Sequence, residues 1–600
     1  MDTLNATSHP PTALAASISP SSPPLPPAPA PGWQRLWRAL TGHWLLVLFV
    51  GSAGAVANFW ALGEPGLWYD EVISADLAHL PVGLLWRYIW GSKPNMELYY
   101  LLLHDWMGVL GVLGIQPTEF VLRIPSALCG ALGAVVLYQL GNRFFGGRFV
   151  GLFAALLYIL NQGQIAAAQQ LRSYSMEILF CCLMEYVFLE ALLISRRPNS
   201  SWRTRMLWWG AYVLVAGLIP YVHLFSALLL LSQGIMFLLL VILPGPWRAA
   251  ARASFFWAAG SFVLVVMAAI PAIWIASRGG YNDWVGTATL NSVANWFVSL
   301  SNNEGAYLAI SAVLVVLGVL TSIALWMRAA LGKGAFPQPG MLVLACWFLI
   351  TAGVAYAVTQ PVHNLHLFYV RYLIVMGPAW WLAIAASVHQ LRRVSSLVAV
   401  TTALVVVMLA LRSLQVPTLA LAAVVVAGAV LLILYERYQQ LALALVLLVL
   451  AFYGTPGYYS TAAQQDFRNP YLWLQQQYQP GDGIFCHPDY DCSIALDYYL
   501  WAYPGKGHFD ADSPGVYNWY TGGFAYHATA QGAQAYAAEH NRIFFVTAPV
   551  VNGVSDASRD AIMAWLGQHY ILAGQYSSTV GADYPRTVLV QLYVKQPAGP

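Results

Sequence analysis

Long apolar segments separated by short polar ones run along most of the chain between residues 43 and 454. A helix of about 20 apolar residues is long enough to cross the hydrocarbon core of a bilayer. Segments of about this length predict thirteen membrane-spanning helices, near residues 43–62, 121–141, 149–168, 174–195, 206–222, 224–243, 254–276, 306–327, 341–358, 370–389, 396–411, 417–434 and 440–454. The pattern therefore predicts a polytopic α-helical membrane protein.

One further apolar run, from Leu98 to Leu113, contains His104 and Asp105. If this run does not span, the Arg and Lys clusters between the predicted spans all fall on one side, which the positive-inside rule makes cytoplasmic. We therefore expect it to lie flat on the outer face as an amphipathic helix. Residues 61–120 then form one long outer loop with flat-lying helices, and the N-terminus is cytoplasmic.

The two ends of the chain differ from the predicted membrane domain at residues 33–457. Residues 1–32 are rich in Pro, Ser and Ala, which predicts a disordered cytoplasmic tail rather than a cleavable signal peptide. Residues 458–600 are expected to form a small extracytoplasmic α/β domain. Its pattern predicts strands at Ile484–Cys486, Arg542–Thr547, 571–576 and 586–594, and helices near 466–479, 493–503, 531–540 and 556–569.

Composition supports the membrane assignment, with 59% hydrophobic residues, 9% charged residues and a mean hydropathy of +0.60. These values exclude an ordinary soluble protein. From Asp466 onward there are eleven acidic and six basic residues, whereas the preceding part has fourteen and twenty-two. The C-terminal domain is therefore acidic, and the basic excess belongs to the membrane part.

The six cysteines fall into two groups. Four lie in predicted spans, where they suit small apolar positions: Cys129, Cys181, Cys182 and Cys346. Cys486 and Cys492 lie in the outer domain, where either a local disulfide or two free thiols fit the sequence. A metal site in the same loop is a less favoured alternative, because its spacing matches no established ligand signature; it would use His487, Asp489 and Asp491.

Polar residues collect at the outer ends of the predicted spans. Asp70 and Glu71 are adjacent carboxylates that follow Trp68-Tyr69, just beyond the first span. A carboxylate in such a setting can accept the proton of an attacking hydroxyl group. Other polar residues at this level are Lys93, Arg172, Tyr174, His223, Arg371 and Tyr372. Their shared level predicts a cleft at the membrane surface.

Arg172 and Arg371 each begin a span on the outer side, and a tyrosine follows each within two residues. A guanidinium presents a planar fork of donors that suits phosphate oxygens. Either arginine alone fits equally well as a side chain that reaches lipid head groups, but two beside an Asp-Glu pair favour a substrate phosphate. His223, at a turn between spans, is more typical of a satisfied polar group than of a catalytic base.

Five stretches between residues 60 and 380 form an ordered series: Trp68-Tyr69-Asp70-Glu71, Pro94 to His104, Arg123-Ile124-Pro125-Ser126-Ala127-Leu128, Gln169 to Ser175 and Arg371-Tyr372-Leu373. In this order they resemble motifs of the C-superfamily membrane glycosyltransferases, in particular bacterial glycosyltransferase family 39 and the protein O-mannosyltransferases. The chain departs from that pattern at Asn95-Met96-Glu97, where the second proline of a Pro-Pro motif is expected, and at Gln170, where glutamate is frequent.

The resemblance implies a sugar donor carried on a polyprenyl phosphate. It implies that Asp70 is the catalytic base, with Glu71 beside it, and that the donor phosphate is held by the outer arginines. The predicted substrate-binding residues are Arg172, Tyr174, Arg371, Tyr372, Lys93 and His223. The departures from the motif bear on the choice of donor or acceptor.

The residue chemistry and the resemblance agree on an inverting glycosyltransferase at the outer face of a bacterial inner membrane. The acceptor would be a hydroxyl group of a lipid, a glycan or a protein, and membrane lipids but no nucleic acid are expected as partners. No cofactor is required, because a sugar phosphate has a good leaving group; a divalent metal ion is compatible with this chemistry but not indicated. The alternative is a transporter or flippase of a lipid-linked glycan, for which two matching halves are expected; the sequence shows no repeated half.

Overall fold

The computed structural model describes residues 42–91, 95–277, 286–360, 366–390, 439–461, 465–487, 530–551, 556–580 and 586–596, with short pieces at 494–495, 498–499, 517–518 and 523–524. These residues are mostly helical, with a small sheet near the C-terminus. The predicted fold class, a polytopic helical protein with a small C-terminal α/β domain, is confirmed.

Nine helices within the described residues are long and apolar enough to cross a membrane. They are Glu119–Phe145, Tyr174–Arg196, Trp202–Val222, Leu224–Ile242, Phe255–Ile275, Gly305–Ala330, Gly340–Val358, Tyr372–Gln390 and Gln440–Tyr459. Each corresponds to one predicted span. The first predicted span is the shorter apolar helix His43–Phe59. The spans predicted at 396–411 and 417–434 lie outside the described residues, so the total of thirteen stays a prediction.

The span predicted at 149–168 is not one straight helix. It forms two helices, Arg148–Ile159 and Gln162–Ala168, which are bent by 70° relative to each other. Asn161 lies at the break, and its Oδ1 accepts the N–H of Gln164 at 3.1 Å, which caps the second helix. Its Nδ2 donates to Asn302 Oδ1 at 2.9 Å. Asn302 follows the helix Leu290–Leu300, so a segment distant in the sequence stabilises the bend.

The segment at residues 61–120, called the outer loop after its predicted position, contains three helices, Tyr69–His79, Val82–Gly91 and Glu97–Leu113. The third contains the apolar run for which no span was predicted, and it is not among the helices found long and apolar enough to cross. The Tyr99 hydroxyl is 2.8 Å from Ser126 Oγ, which ties this helix to the span that follows it. Its flat orientation in a bilayer stays a prediction.

The C-terminal domain is built on a four-stranded sheet. The strands are, in chain order, β1 (Gly483–His487), β2 (Tyr517–Asn518), β3 (Gly523–Phe524), β4 (Arg542–Val551), β5 (Tyr570–Val580) and β6 (Arg586–Lys595). The main sheet has the order β1-β4-β6-β5, while β2 and β3 pair separately. β1 and β4 are parallel, and β6 is antiparallel to both β4 and β5.

The predicted elements of this domain are largely confirmed. The described helices are Arg468–Gln477, Ala530–Ala538 and Ala557–His569. Most of the helix predicted near 493–503 lies outside the described residues. Cys486 is disulfide-bonded. Cys492, the partner considered from the sequence, lies outside the described residues. The other four cysteines are free, and three of them are buried.

The parallel strands β1 and β4 are buried on both faces at residues 483–487 and 543–548, which explains their mostly apolar sequence. Successive side chains along a strand point to opposite faces, so Phe485 lies in one core while Ile484 and Cys486 lie in another. This second core also contains Leu67 and Val72 of the outer loop. The outer loop and the C-terminal domain therefore share one hydrophobic core.

Polar contacts strengthen the same junction. Arg468 donates to the carbonyl oxygens of Gly63 and Glu64 at 3.2 and 2.7 Å, and it lies 3.6 Å from Glu119 Oε1. The Tyr499 hydroxyl accepts the N–H of Leu67 at 2.8 Å. The segment that leads to Asp70 is thus held by the C-terminal domain.

We expect Arg468→Ala to loosen this segment, because it removes two bonds to backbone carbonyls and one ion pair. Hydrogen exchange of peptides from residues 62–80 should become faster than in the native protein. Arg559→Ala is the matched control, since Arg559 pairs with the neighbouring Asp560 in the same domain. Unchanged exchange in the Arg468 variant would contradict the prediction.

Candidate active site

Asp70 and Glu71 lie in the first turn of the helix Tyr69–His79, directly after the extended residue Trp68. Glu71 Oε2 accepts the N–H of Trp68 at 3.3 Å, which satisfies a backbone donor at the helix start. Successive residues of a helix are about 100° apart around its axis. The two adjacent carboxylates therefore enter different surroundings, one buried and the other partly exposed.

Glu71 is fully buried and forms an ion pair with Arg123. Arg123 donates to Glu71 Oε1 at 2.8 Å through Nε and to Oε2 at 2.7 Å through Nη2. The N–H of Leu171 donates to Glu71 Oε1 at 2.6 Å. Both oxygens of the Glu71 carboxylate are thus engaged by the protein itself. This geometry fits an anchor of the loop, and a part of Glu71 in catalysis stays a prediction.

Asp70 faces the more open side, with 25% of its side chain exposed. Arg371 Nη1 donates to Asp70 Oδ2 at 3.1 Å, and Arg172 Nη2 lies 3.9 Å from the same oxygen. Arg172 also donates to the backbone carbonyl oxygen of Asp70 at 3.3 Å. The fold thus brings together the predicted base and both predicted phosphate ligands, although they lie far apart in the sequence.

Aromatic rings support both guanidinium groups. Arg371 lies over the ring of Trp68 at 4.7 Å and near that of Tyr369 at 5.5 Å. Arg172 is 6.0 Å from the ring of Tyr174. Such cation–π contacts orient the face of a guanidinium and leave the N–H groups at its edge available to an anion.

The two predicted tyrosines meet at His223. The ring of His223 lies between Tyr174, at a centroid distance of 5.6 Å, and Tyr372, at 5.1 Å. Its burial, together with the charge of Arg172, lowers the pKa of His223 to about 3. His223 is therefore neutral, and at 1% exposure it lies inside the protein; its predicted contact with a substrate stays a prediction.

Lys93, the remaining predicted substrate contact, lies outside the described residues. Just after it, Glu97 begins the third helix of the outer loop and is buried. Within the described part of the chain, Glu97 Oε2 has no hydrogen-bond partner. Burial raises the pKa of Glu97 to about 7. The departure from the Pro-Pro motif thus places a poorly solvated carboxyl group at the start of the third helix of the loop.

Two residues have roles that the sequence did not assign. Arg123 is the partner of Glu71. The sequence contained a signal for this role, because an arginine at the start of a predicted span requires a counter-ion. Trp68 supports Arg371, and no local pattern predicts this contact, since the two residues are distant in the sequence.

No cluster of three or more His, Cys, Asp and Glu side chains among the described residues is placed to hold a metal ion. Asp489 and Asp491 of the alternative metal loop lie outside those residues. That alternative therefore stays untested.

No protein family and no curated protein matches the chain in sequence. Among solved structures, ArnT from Cupriavidus metallidurans in the apo state matches with a TM-score of 0.53 and 14% identity, over 92% of this chain and 98% of ArnT. The chain has the fold of the C-superfamily membrane glycosyltransferases. The resemblance predicted from the motifs is thus confirmed at the level of this fold.

Two further solved structures match with lower scores. ArnT bound to undecaprenyl phosphate has a TM-score of 0.45 and 15% identity, over 91% of this chain and 97% of ArnT. The oligosaccharyltransferase AglB from Archaeoglobus fulgidus, solved with an inhibitory peptide and a dolichol-phosphate, has a TM-score of 0.45 and 12% identity, over 85% and 70%. At these identities the likeness concerns the fold alone.

We expect Glu71→Gln to destabilise the protein by about 3–5 kcal/mol, because it leaves the buried charge of Arg123 without its counter-ion. The measurement is the Tm in detergent, together with the yield of monodisperse protein. Asp105→Asn is the matched control: it removes an exposed carboxylate of the same loop and should change the Tm little. Equal losses in the two variants would contradict the assignment of Glu71 as the anchor.

The raised pKa of Glu97 predicts a pH-dependent stability. Glu97 binds its proton more tightly in the folded protein than in the unfolded chain. The contribution of the protonated Glu97 to the free energy of unfolding is therefore full below the ordinary pKa of 4.5, and it is lost as the pH rises through about 7. Between these values the Tm of the native protein should fall more steeply with pH than that of Glu97→Gln. Identical slopes would show that Glu97 titrates normally.

Proposed function

We propose that the protein is an inverting glycosyltransferase that transfers a sugar from a polyprenyl-phosphate donor to a hydroxyl group of an acceptor. The observation that supports this most directly is the contact of Asp70 Oδ2 with Arg371 at 3.1 Å and with Arg172 at 3.9 Å. Sugar transfer from a phosphate requires a proton acceptor beside cations that hold the leaving group. The shared fold with ArnT supports the same class of reaction.

In this proposal Asp70 is the base. One of its oxygens takes the proton of the acceptor hydroxyl while the acceptor oxygen attacks C1 of the sugar. The bond between C1 and the phosphate oxygen breaks, and both of its electrons leave with the polyprenyl phosphate. A single displacement of this kind inverts the configuration at C1.

Arg172 and Arg371 are the proposed phosphate ligands. Their guanidinium groups already converge on one carboxylate oxygen, so an anionic phosphate oxygen at a neighbouring position would meet donors from both side chains. Tyr174 and Tyr372, which follow them in the chain, would line the same side of the site. Lys93 belongs to this proposal as a further cation of the outer loop.

The position of the arginines suits a donor with a lipid tail. Arg172 lies just before the apolar helix Tyr174–Arg196, and Arg371 directly precedes Tyr372–Gln390. A phosphate held at these helix starts could stay at the membrane surface while its hydrocarbon chain remains among lipids. ArnT has been solved bound to undecaprenyl phosphate, and a carrier of that chemical class is the one we propose here.

We further propose the orientation that the charge pattern predicts. The membrane domain at residues 33–457 would lie in a bacterial inner membrane with a cytoplasmic N-terminus, and residues 458–600 would form the extracytoplasmic domain. This arrangement places Asp70 on the outer face.

The test is sugar transfer by the purified protein in lipid, with a panel of polyprenyl-phosphate sugars and membrane extract as the acceptor source. Asp70→Asn should reduce transfer by about 100-fold or more, because it removes the general base. Asp105→Asn is the matched control, since Asp105 is an exposed carboxylate of the same outer loop. Full transfer by the Asp70 variant, or a product that retains the donor's configuration, would refute the proposed mechanism.

The same preparation separates the enzyme from the alternative transporter. A transporter would move a fluorescent lipid-linked glycan across the vesicle membrane without releasing the sugar. Translocation without transfer, lost in Arg172→Ala and Arg371→Ala, would favour that alternative over the glycosyltransferase.

A further inference from the structure

The turn at residues 223–226 contacts the segments that carry Arg172 and Arg371, and His223, Phe225 and Ser226 are buried in it. It follows the helix Trp202–Val222 and begins with the extended residue His223. The N–H of Leu224 donates to the carbonyl oxygen of Asn95 at 3.3 Å, which joins the turn to the outer loop.

The same turn is joined to the segment of Arg172. Ser226 Oγ donates to Glu177 Oε1, and His223 Nδ1 lies 3.5 Å from that oxygen. Glu177 and Tyr174 belong to the same helix, which starts two residues after Arg172. The turn and the first turn of this helix therefore form one hydrogen-bonded unit.

The segment of Arg371 is joined to the turn by ring contacts. Tyr372 lies 5.1 Å from the ring of His223 and 6.1 Å from that of Phe225. Tyr174 contacts the ring of His223 at 5.6 Å. Within the turn, only His223 has ring contacts with both tyrosines. Tyr174 follows Arg172, and Tyr372 follows Arg371.

The hydrogen bonding and the protonation state of His223 suit a structural role rather than proton transfer. Its Nδ1 accepts the N–H of Phe225 at 3.3 Å, so a neutral ring carries its proton on Nε2. Burial lowers the pKa of His223 to about 3, which keeps the ring neutral at physiological pH. Buried aromatic rings in contact are held at defined distances and angles.

We propose that His223 is a positioning residue that sets the separation of Arg172 and Arg371 through Tyr174 and Tyr372. This inference rests on the proposed function, in which both arginines hold the donor phosphate. The shape of the ring, rather than its titration or its hydrogen-bonding atoms, is the property that matters. A planar ring of similar size should therefore replace it.

The experiment compares His223→Ala and His223→Phe with the native protein. His540→Ala is the matched control, because it removes a histidine–tyrosine ring contact in the C-terminal domain. Two properties are measured: the affinity for undecaprenyl phosphate in lipid nanodiscs, and hydrogen exchange of peptides covering residues 169–177 and 366–376. With an active donor, kcat and KM are determined separately.

In His223→Ala we expect faster exchange in both peptides, weaker phosphate binding and a loss of about 100-fold in kcat/KM, the scale of a misplaced binding group. In His223→Phe we expect exchange and affinity within about threefold of the native values, because a ring of similar volume keeps both contacts. His540→Ala should match the native protein. If His223→Ala does not fold, His223→Leu replaces it, since leucine fills the space without a planar ring.

Two results would overturn the inference. Unchanged exchange and affinity in the Ala or Leu variant would show that His223 positions neither segment. Equal damage in the Phe variant would show that the polar atoms of the histidine matter rather than its shape. A native protein that binds no undecaprenyl phosphate would instead refute the proposed function, and the exchange data alone would then decide whether His223 positions the two segments.

Discussion

The ion pair between Glu71 and Arg123 joins the outer loop to the first long helix after it, and the candidate site depends on this pair. All five N–H donors of Arg123 are engaged: two by Glu71 and three by the carbonyl oxygens of Leu62, Pro65 and Gly66. Burying two charges is costly unless their hydrogen bonds are satisfied. Here they are satisfied, so the pair holds both the loop and the start of the helix that carries Asp70.

The loop is held from the opposite direction by residues of the C-terminal domain and by the segment that leads into it. Gln465 Oε1 accepts the N–H of Tyr69 at 3.0 Å, and Tyr499 accepts the N–H of Leu67. Backbone groups immediately before Asp70 are thus paired with a distant part of the chain. A base must be placed within hydrogen-bond reach of the proton it removes, and this two-sided support limits the movement of Asp70. It also suggests a structural reason for the C-terminal domain, independent of any recognition of an acceptor.

One carboxylate and two guanidinium groups leave the site with a net positive charge. Asp70 is paired with both arginines. The ring of Trp68 contacts Arg371 and that of Tyr174 contacts Arg172, and the two rings come from different segments. This arrangement keeps two cations together, which would otherwise repel each other, and it holds them beside the carboxylate. The same proximity is what a phosphate ligand needs, and the motif of arginine followed by tyrosine has a structural meaning: the tyrosines meet at His223.

The sequence by itself determined the features that depend on single segments. A run of apolar residues long enough for a bilayer is a local property, and so is the alternation that marked the strands; these patterns identified the described spans and most of the C-terminal domain. The common level of Asp70, Arg172 and Arg371 followed from the positions of the spans. Only the tertiary structure decided that Glu71 turns inward to Arg123, that Asn161 bends its span and that His223 lies between two tyrosines. Each of these depends on a partner far away in the chain, and local periodicity carries no information about which distant side chain will supply a buried charge or ring with its contact.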